Sequence, residues 1–294
     1  MPATEEALFW WFMNERHRIY VKKEIGAPKP WTTDKILQTY KFTNIFRELD
    51  RDTIWVRQNI REPLRDDPEL LLFNVALFRQ TGGTEGWQGI VRRFDAVKLA
   101  AKYVAAQKRG LKVFTGAYMV TGTFPGAKGK PKVESLFHYA LQPIWNVRKE
   151  LVKFCEKTRS LQGLTEYLGI YCGWGGNNFM AYEVACDLLH TPLLEGAMDR
   201  YTWANPGPGA QRGLSRLYGG DINMGRGAKS CDRDTCVREM QALMRKAPKK
   251  LGSHIDLNDV DMRTIEHSLC EYDKYVRTLH GEGRPRGRYN GTAC

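Results

Sequence analysis

Four groups of residues have types and spacings that can do chemistry. The first is Gly173-Trp174-Gly175-Gly176-Asn177-Asn178, set between two stretches of helical periodicity. Glycines permit a tight reversal and leave backbone N–H groups open where the second helix begins. Those groups, with the helix dipole behind them, suit a phosphate oxygen. Gly173, Trp174, Gly175, Asn177 and Asn178 are therefore candidate contacts to a DNA backbone, which carries no sequence information. An ordinary helix–helix corner has the same composition. The second group is Asp199, 22 residues beyond Asn177, followed by Arg212 and Arg216 one helical turn apart. Asp199 can serve as a general base, or cap a helix. The two arginines can clamp a diphosphate through paired hydrogen bonds, or stay solvated. The third group is Glu266, His267, Cys270, Glu271 and Lys274 on the last long helical stretch. His267 and Lys274 are seven residues apart and share a face, for acid–base work or for water. The fourth is Asn44, Arg47 and Arg51, a polar face turned either toward DNA or toward solvent.

Other chemistries are excluded by missing patterns. Gly126-Ala127-Lys128-Gly129-Lys130 lacks the spacing and the Ser/Thr of a nucleotide phosphate loop. No His-x-x-x-His, Cys-x-x-Cys or Gly-x-Ser-x-Gly occurs, which removes zinc hydrolases and serine hydrolases. The seven cysteines, at 155, 172, 186, 231, 236, 270 and 294, are scattered and odd in number, as reduced thiols are. Only Cys231 and Cys236 lie close together, so neither a bound metal nor another cofactor is expected. Lys and Arg outnumber Asp and Glu by 45 to 33, a net charge of +12 that favours a polyanionic partner. No apolar run reaches the ~18 residues of a membrane span, and the first residues do not form a secretory signal. A cytoplasmic protein is the expectation.

Helical periodicity dominates the elements that must position these groups. Glu5–Lys23 is an aromatic-rich helix ended by Gly26-Ala27-Pro28-Lys29-Pro30. Thr32, Thr33 and Asp34 offer N-caps for a helix running to Asp50, with Phe42, Ile45, Phe46 and Leu49 as its apolar stripe. Further helices are expected at Pro68–Phe78, Phe94–Lys108, Val133 to beyond Lys157, Leu164–Ile170, Asn177–Leu189, Asp234–Lys246 and Asp256–Leu279. Val113-Phe114-Thr115 and Tyr118-Met119-Val120 read as a small extended element near 111–123. Loops follow at 126–132, 205–209 and 219–235, and the tail Arg284-Pro285-Arg286-Gly287-Arg288 reads as mobile. The chain 1–294 is expected to form one compact helical body, or two lobes (1–110 with 234–294; 111–233).

Longer motifs carry a resemblance. Glu15-Arg16, Pro30-Trp31-Thr32-x-Asp34 and Phe42-Thr43-Asn44-Ile45-Phe46-Arg47-x-x-Asp50-Arg51 come first. Thr202-Trp203-Ala204-x-x-Gly207-Pro208-Gly209-Ala210-x-Arg212-Gly213-Leu214 and His267-Ser268-Leu269-Cys270-Glu271-Tyr272-Asp273-Lys274-Tyr275 follow. Together they resemble the alpha-glutamyl/putrescinyl thymine pyrophosphorylases and the related helical domain of 5-hydroxymethyldeoxyuridine DNA kinases. The resemblance implies a mainly α, helix-hairpin-helix, DNA-glycosylase-like fold working in thymine hypermodification of bacteriophage DNA. It implies a transferase that displaces diphosphate from 5-(diphosphoryloxymethyl)uracil with an amino acid or polyamine, on a base flipped out of the duplex. The implied partners are double-stranded DNA with a modified thymine, a small amine or amino acid, no membrane, and a DNA kinase. By the same resemblance Asp199 is the base or cation stabiliser, with Glu15 and Glu266 next in line, and Arg16 and Arg212 hold the diphosphate. Asn177 stands where such glycosylases place a catalytic Lys, so Schiff-base lyase chemistry is not implied. A glycosylase of modified pyrimidines and a non-catalytic DNA-binding module serving the kinase are the competing readings.

Overall fold

The computed structural model describes residues 2, 4–114, 124, 129–220, 222, 232–285 and 287–289. Twelve α-helices occur among them. In chain order they are α1 (Glu5–Glu24), α2 (Lys35–Thr39), α3 (Arg51–Val56), α4 (Pro68–Thr81), α5 (Ala96–Lys108) and α6 (Lys132–Leu136). Then come α7 (Gln142–Thr158), α8 (Leu161–Gly169), α9 (Phe179–Leu188), α10 (Pro208–Tyr218), α11 (Arg233–Lys250) and α12 (Met262–Leu279). No sheet forms among the described residues; two isolated bridges, Tyr40–Arg288 and Gly82–Phe114, are the β contacts. The mainly α class is thus the observed one. Most starts follow from local chemistry, because a side-chain oxygen satisfies an N–H that the first helical turn leaves open. Asp34, Asp67, Asp95, Ser160, Asp232 and Asp261 each cap the helix that follows.

The expected helix 34–50 is corrected. It stops at Thr39, and the chain continues irregularly to a single 3-10 turn at Arg47–Leu49. Tertiary partners take the backbone groups that a helix would have used. Lys41 N donates to Gly287 O at 3.0 Å, Thr43 N to Glu271 Oε2 at 3.0 Å, and Asn44 N to Asp50 Oδ1 at 2.9 Å. Phe42, Ile45 and Phe46 are still buried, but Asn44 is buried with them rather than facing solvent. The basic tail is also corrected: Tyr289 N donates to Thr39 O at 2.8 Å, and its ring meets Trp31 edge-on. The extended pieces after Phe114, residues 126–128 and most of the loop at 219–235 lie outside the described residues.

The chain divides into two compact units, residues 1–51 with 200–294, and residues 52–199. These boundaries differ from the expected lobes, because the buried helix α4 packs with α7 and α9. In the first unit α10 lies along α12. Gly209 and Gly213, four residues apart, make this approach feasible. A Cβ at Gly209 would collide with Cys270 Sγ, and one at Gly213 would stand 2.5 Å from Leu269 O. From α1, Phe9 and Phe12 pack on Tyr272, and Phe12 also meets Phe42 and Tyr275. Burying each of those rings contributes about 2–3 kcal/mol. In the second unit α8 and α9 pack together through the glycine turn.

Candidate functional site

Three pieces of the first unit assemble a polar face: α12, the irregular segment 42–50, and Arg16 of α1. Asp261 starts α12 by accepting from Thr264 N at 2.9 Å, in a reciprocal capping box. From there Arg263, Glu266, His267, Cys270, Glu271 and Lys274 recur at spacings of three and four and so fall on one side. Asp50 folds the facing segment back on itself. Its Oδ1 accepts from the backbone N and Nδ2 of Asn44, at 2.9 and 3.0 Å, and its Oδ2 pairs with Arg47 Nη1 at 2.5 Å. Thr43 then reaches α12 twice. Its N–H goes to Glu271 Oε2, which also receives Lys274 Nζ at 2.5 Å, and its hydroxyl meets His267 Nε2 at 2.5 Å. Arg16 fixes the start of the segment, donating from Nε and Nη2 to Phe42 O at 3.2 and 3.1 Å. At the other end Glu266 Oε1 accepts from Gly207 N at 3.3 Å, while its Oε2 pairs with Arg263 at 3.1 Å.

The electrostatics of this face are uneven. Burial, then the nearby Arg47, Arg263, Lys274 and Arg16, hold the His267 imidazole well below its ordinary pKa. At neutral pH the ring is uncharged. Burial raises the Asp50 carboxyl, opposed by Arg47 and by the Asn44 N–H. Burial and the carboxylates Glu271 and Glu266 push the Cys270 thiol up to about 12, so it is protonated and not a nucleophile. Arg47 and Lys274 keep about a quarter of their side chains in water, 25% and 24%. The arrangement can receive an anion at its edge. It can also present a neutral imidazole and a carboxylate to whatever the anion is attached to.

The other sequence-predicted residues lie elsewhere. Asp199 accepts from Ser160 Oγ, Leu161 N and Gln162 N at 2.6, 2.9 and 3.0 Å, so its carboxylate holds the start of α8. Arg212 and Arg216 each give Nε to the buried Asp273, at 2.8 and 2.9 Å, and Arg216 also pairs with Glu282. Glu15 pairs with Arg18 at 2.9 Å. In the glycine turn Trp174 is fully buried and donates Nε1 to Ala140 O at 3.0 Å, while Gln80 Nε2 holds Gly173 O. Its ring is core, so a base or phosphate contact through it is ruled out. Gly173 and Asn178 have positive φ, and Asn178 gives α9 no side-chain cap; Phe179 N takes Asn177 Oδ1 at 3.2 Å. Arg51 is exposed at the start of α3. The structure therefore unites Arg16, Asn44, Arg47, Glu266, His267 and Lys274, and leaves Asp199, Arg212, Arg216 and the turn outside that cluster. Thr43, Asp50, Arg263 and Glu271 complete it. Three of those four stand inside the longer motifs; Arg263 carries no sequence signal.

Residues 5–284 match the family model described as the helical domain of 5-hmdU DNA kinase. The chain belongs to this helical-domain family. A curated relative, the 5-hmdU DNA kinase of Bacillus phage SP10, is 28% identical over 303 residues. The alignment covers 93% of this chain and 46% of the relative, so the chain spans about half the length of the kinase it matches. No solved structure matches. Every part of the polar face lies inside the matched helical domain. None of the described helices is long and apolar enough to cross a membrane.

Proposed function

We propose that this helical domain works in hypermodification of thymine in phage DNA, where it replaces a diphosphate on the 5-methylene of uracil by an amine. The observation that carries this reading is a face on which four cations, Arg16, Arg47, Arg263 and Lys274, outnumber the carboxylates Asp50, Glu266 and Glu271 beside the neutral His267. A diphosphate is a good leaving group when its growing charge is met by fixed cations. The amine nitrogen attacks the methylene carbon, the carbon–oxygen bond breaks, and the diphosphate departs with the bonding electrons. The nitrogen then gives up a proton, and Glu266, already turned into the face, is the carboxylate assigned to take it. Asp199 keeps its work on α8. The target base must leave the duplex first, as for any enzyme acting on a base atom. The net charge of +12 and the turn at 173–178 supply sequence-independent backbone affinity.

One observation favours a second reading. The match is to one domain and covers less than half of the phage kinase, which suits a non-catalytic module that delivers DNA to a separate kinase. Mass spectrometry of nucleosides from DNA carrying the diphosphorylated base, incubated with the protein and a mixture of amines and amino acids, separates the readings. A new aminomethyl nucleoside supports displacement. Binding without product favours the module, and abasic sites indicate a glycosylase.

A further inference from the structure

The pairing of Thr43 with His267 bears on which ring nitrogen carries the proton. Thr43 Oγ1 lies 2.5 Å from Nε2, and Thr43's own backbone N–H is fixed to Glu271 Oε2 at 3.0 Å, which sets where the hydroxyl points. Lys274 secures that carboxylate from the other side at 2.5 Å. No described residue bonds to Nδ1 of His267, so its state is set through the contact at Nε2. A neutral imidazole has one N–H and one lone pair, and the partner at one nitrogen decides the state of the other.

We propose that Thr43 donates its hydroxyl to Nε2 of His267, places the ring proton on Nδ1, and so makes His267 a neutral hydrogen-bond donor to an anionic group. Two points favour this direction over the reverse. The ring meets Thr43 and feels the charges of Arg16 from α1, Arg47 from the facing segment, and Arg263 and Lys274 from α12, the last three paired with Asp50, Glu266 and Glu271. These four cations draw an anion to the face, and a nitrogen lone pair aimed at an anion repels it, whereas an N–H binds it. Among the described residues Nε2 of His267 is the contact that the Thr43 hydroxyl makes, and a lone pair on that nitrogen gives the hydroxyl proton an acceptor. Thr43 is then a positioning residue acting through His267. Unlike a general base, this donor does not titrate between about pH 6 and 8. This inference rests on the proposed function only in taking the anion to be a diphosphate.

The test is nitrogen NMR of the imidazoles in the full chain, with the His267 signals assigned by their loss in His267→Gln. Wild type and Thr43→Ser are expected to show a protonated Nδ1 and an unprotonated Nε2. In Thr43→Val, which keeps the side chain's shape, the second tautomer should appear. Calorimetric titration with inorganic pyrophosphate at one fixed pH should then show affinity about fivefold to tenfold lower in Thr43→Val and restored in Thr43→Ser. A protonated Nε2 in the wild type, or a tautomer unmoved by Thr43→Val, overturns the proposal. Failure of pyrophosphate to bind the wild type, with the tautomer as expected, refutes the diphosphate reading and leaves the Thr43–His267 assignment standing.

Discussion

Two helix-borne polar clusters in this molecule are built from similar residues and differ in one respect. In the second unit Arg79 of α4 meets Asp187 of α9 with both Nε and Nη2, at 2.6 and 2.5 Å, and Glu183 at 3.5 Å. All three side chains are at least nine-tenths buried, and Arg61 takes the Asp187 carbonyl at 3.1 Å. This network is closed: its charges face one another and hold α4 to α9. In the first unit the face around His267 is open. Arg47 and Lys274, each paired with a carboxylate at 2.5 Å, still keep 25% and 24% of their side chains in water. Burial and bidentate geometry mark a charge as structural, whereas hydrogen-bonding capacity left at a solvent edge marks a place for a ligand. Arg216, whose side chain is 5% exposed, belongs with the first kind, whereas Arg212 on the same carboxylate keeps 22% of its side chain in water. Their shared partner, Asp273, has a side chain 1% exposed.

The largest effect is expected where the closed network is cut. Arg79→Ala leaves Asp187 and Glu183 without their guanidinium, and should cost about 3–5 kcal/mol in urea unfolding. The matched change on the open face, Arg47→Ala, should cost about 1 kcal/mol or less while weakening pyrophosphate binding about tenfold. Equal destabilisation by the two would erase the distinction between the clusters.

Acid should act next most strongly, and through imidazoles. His17, stacked on His254 with ring centres 5.9 Å apart, has its pKa lowered from 6.5 to about 4, first by burial and then by His254 and Arg16. The folded protein keeps this ring neutral while the unfolded chain binds a proton, so stability is complete above about pH 6.5 and drains away as pH falls toward 4. From pH 7 to pH 5 the loss from this residue is about 2 kcal/mol. His267 adds a loss of the same sign. Urea midpoints at the two pH values should converge in His17→Gln relative to wild type; an unchanged pH dependence would remove His17 from the account.

The smallest effect on activity is expected at Asp199. Asp199→Ala strips the carboxylate from the start of α8 and should cost about 1–2 kcal/mol, with the Ser160 hydroxyl still capping through Gly163 N at 2.8 Å. Product formation in the nucleoside assay should survive. Loss of product with intact stability would return Asp199 to the reacting atoms and make its capping bonds incidental.

What could be read from the sequence was what depends on neighbours within about one helical turn. Asp34 as a cap, the break after Gly26, the reversal at Gly173–Gly176 and the bounds of α4 to within three residues all follow from side chains and backbone groups close in the chain. The shared face of Glu266, His267 and Lys274 is of this kind too, because helical spacing alone sets it. Only the tertiary structure decided the rest. The segment 40–50 has a helical apolar stripe, yet its N–H groups are taken by Gly287, Glu271 and Asp50, two of them more than 200 residues away. Thr43 and His267 are separated by 224 residues, and neither has a neighbour in sequence that predicts the other. Asp199 and the arginines of α10 have the composition of a reaction centre, and become a cap and an ion network through partners that spacing does not reveal. A carboxylate or guanidinium takes its role from the charges and donors packed against it, and those are fixed by the folded chain rather than by the residues beside it.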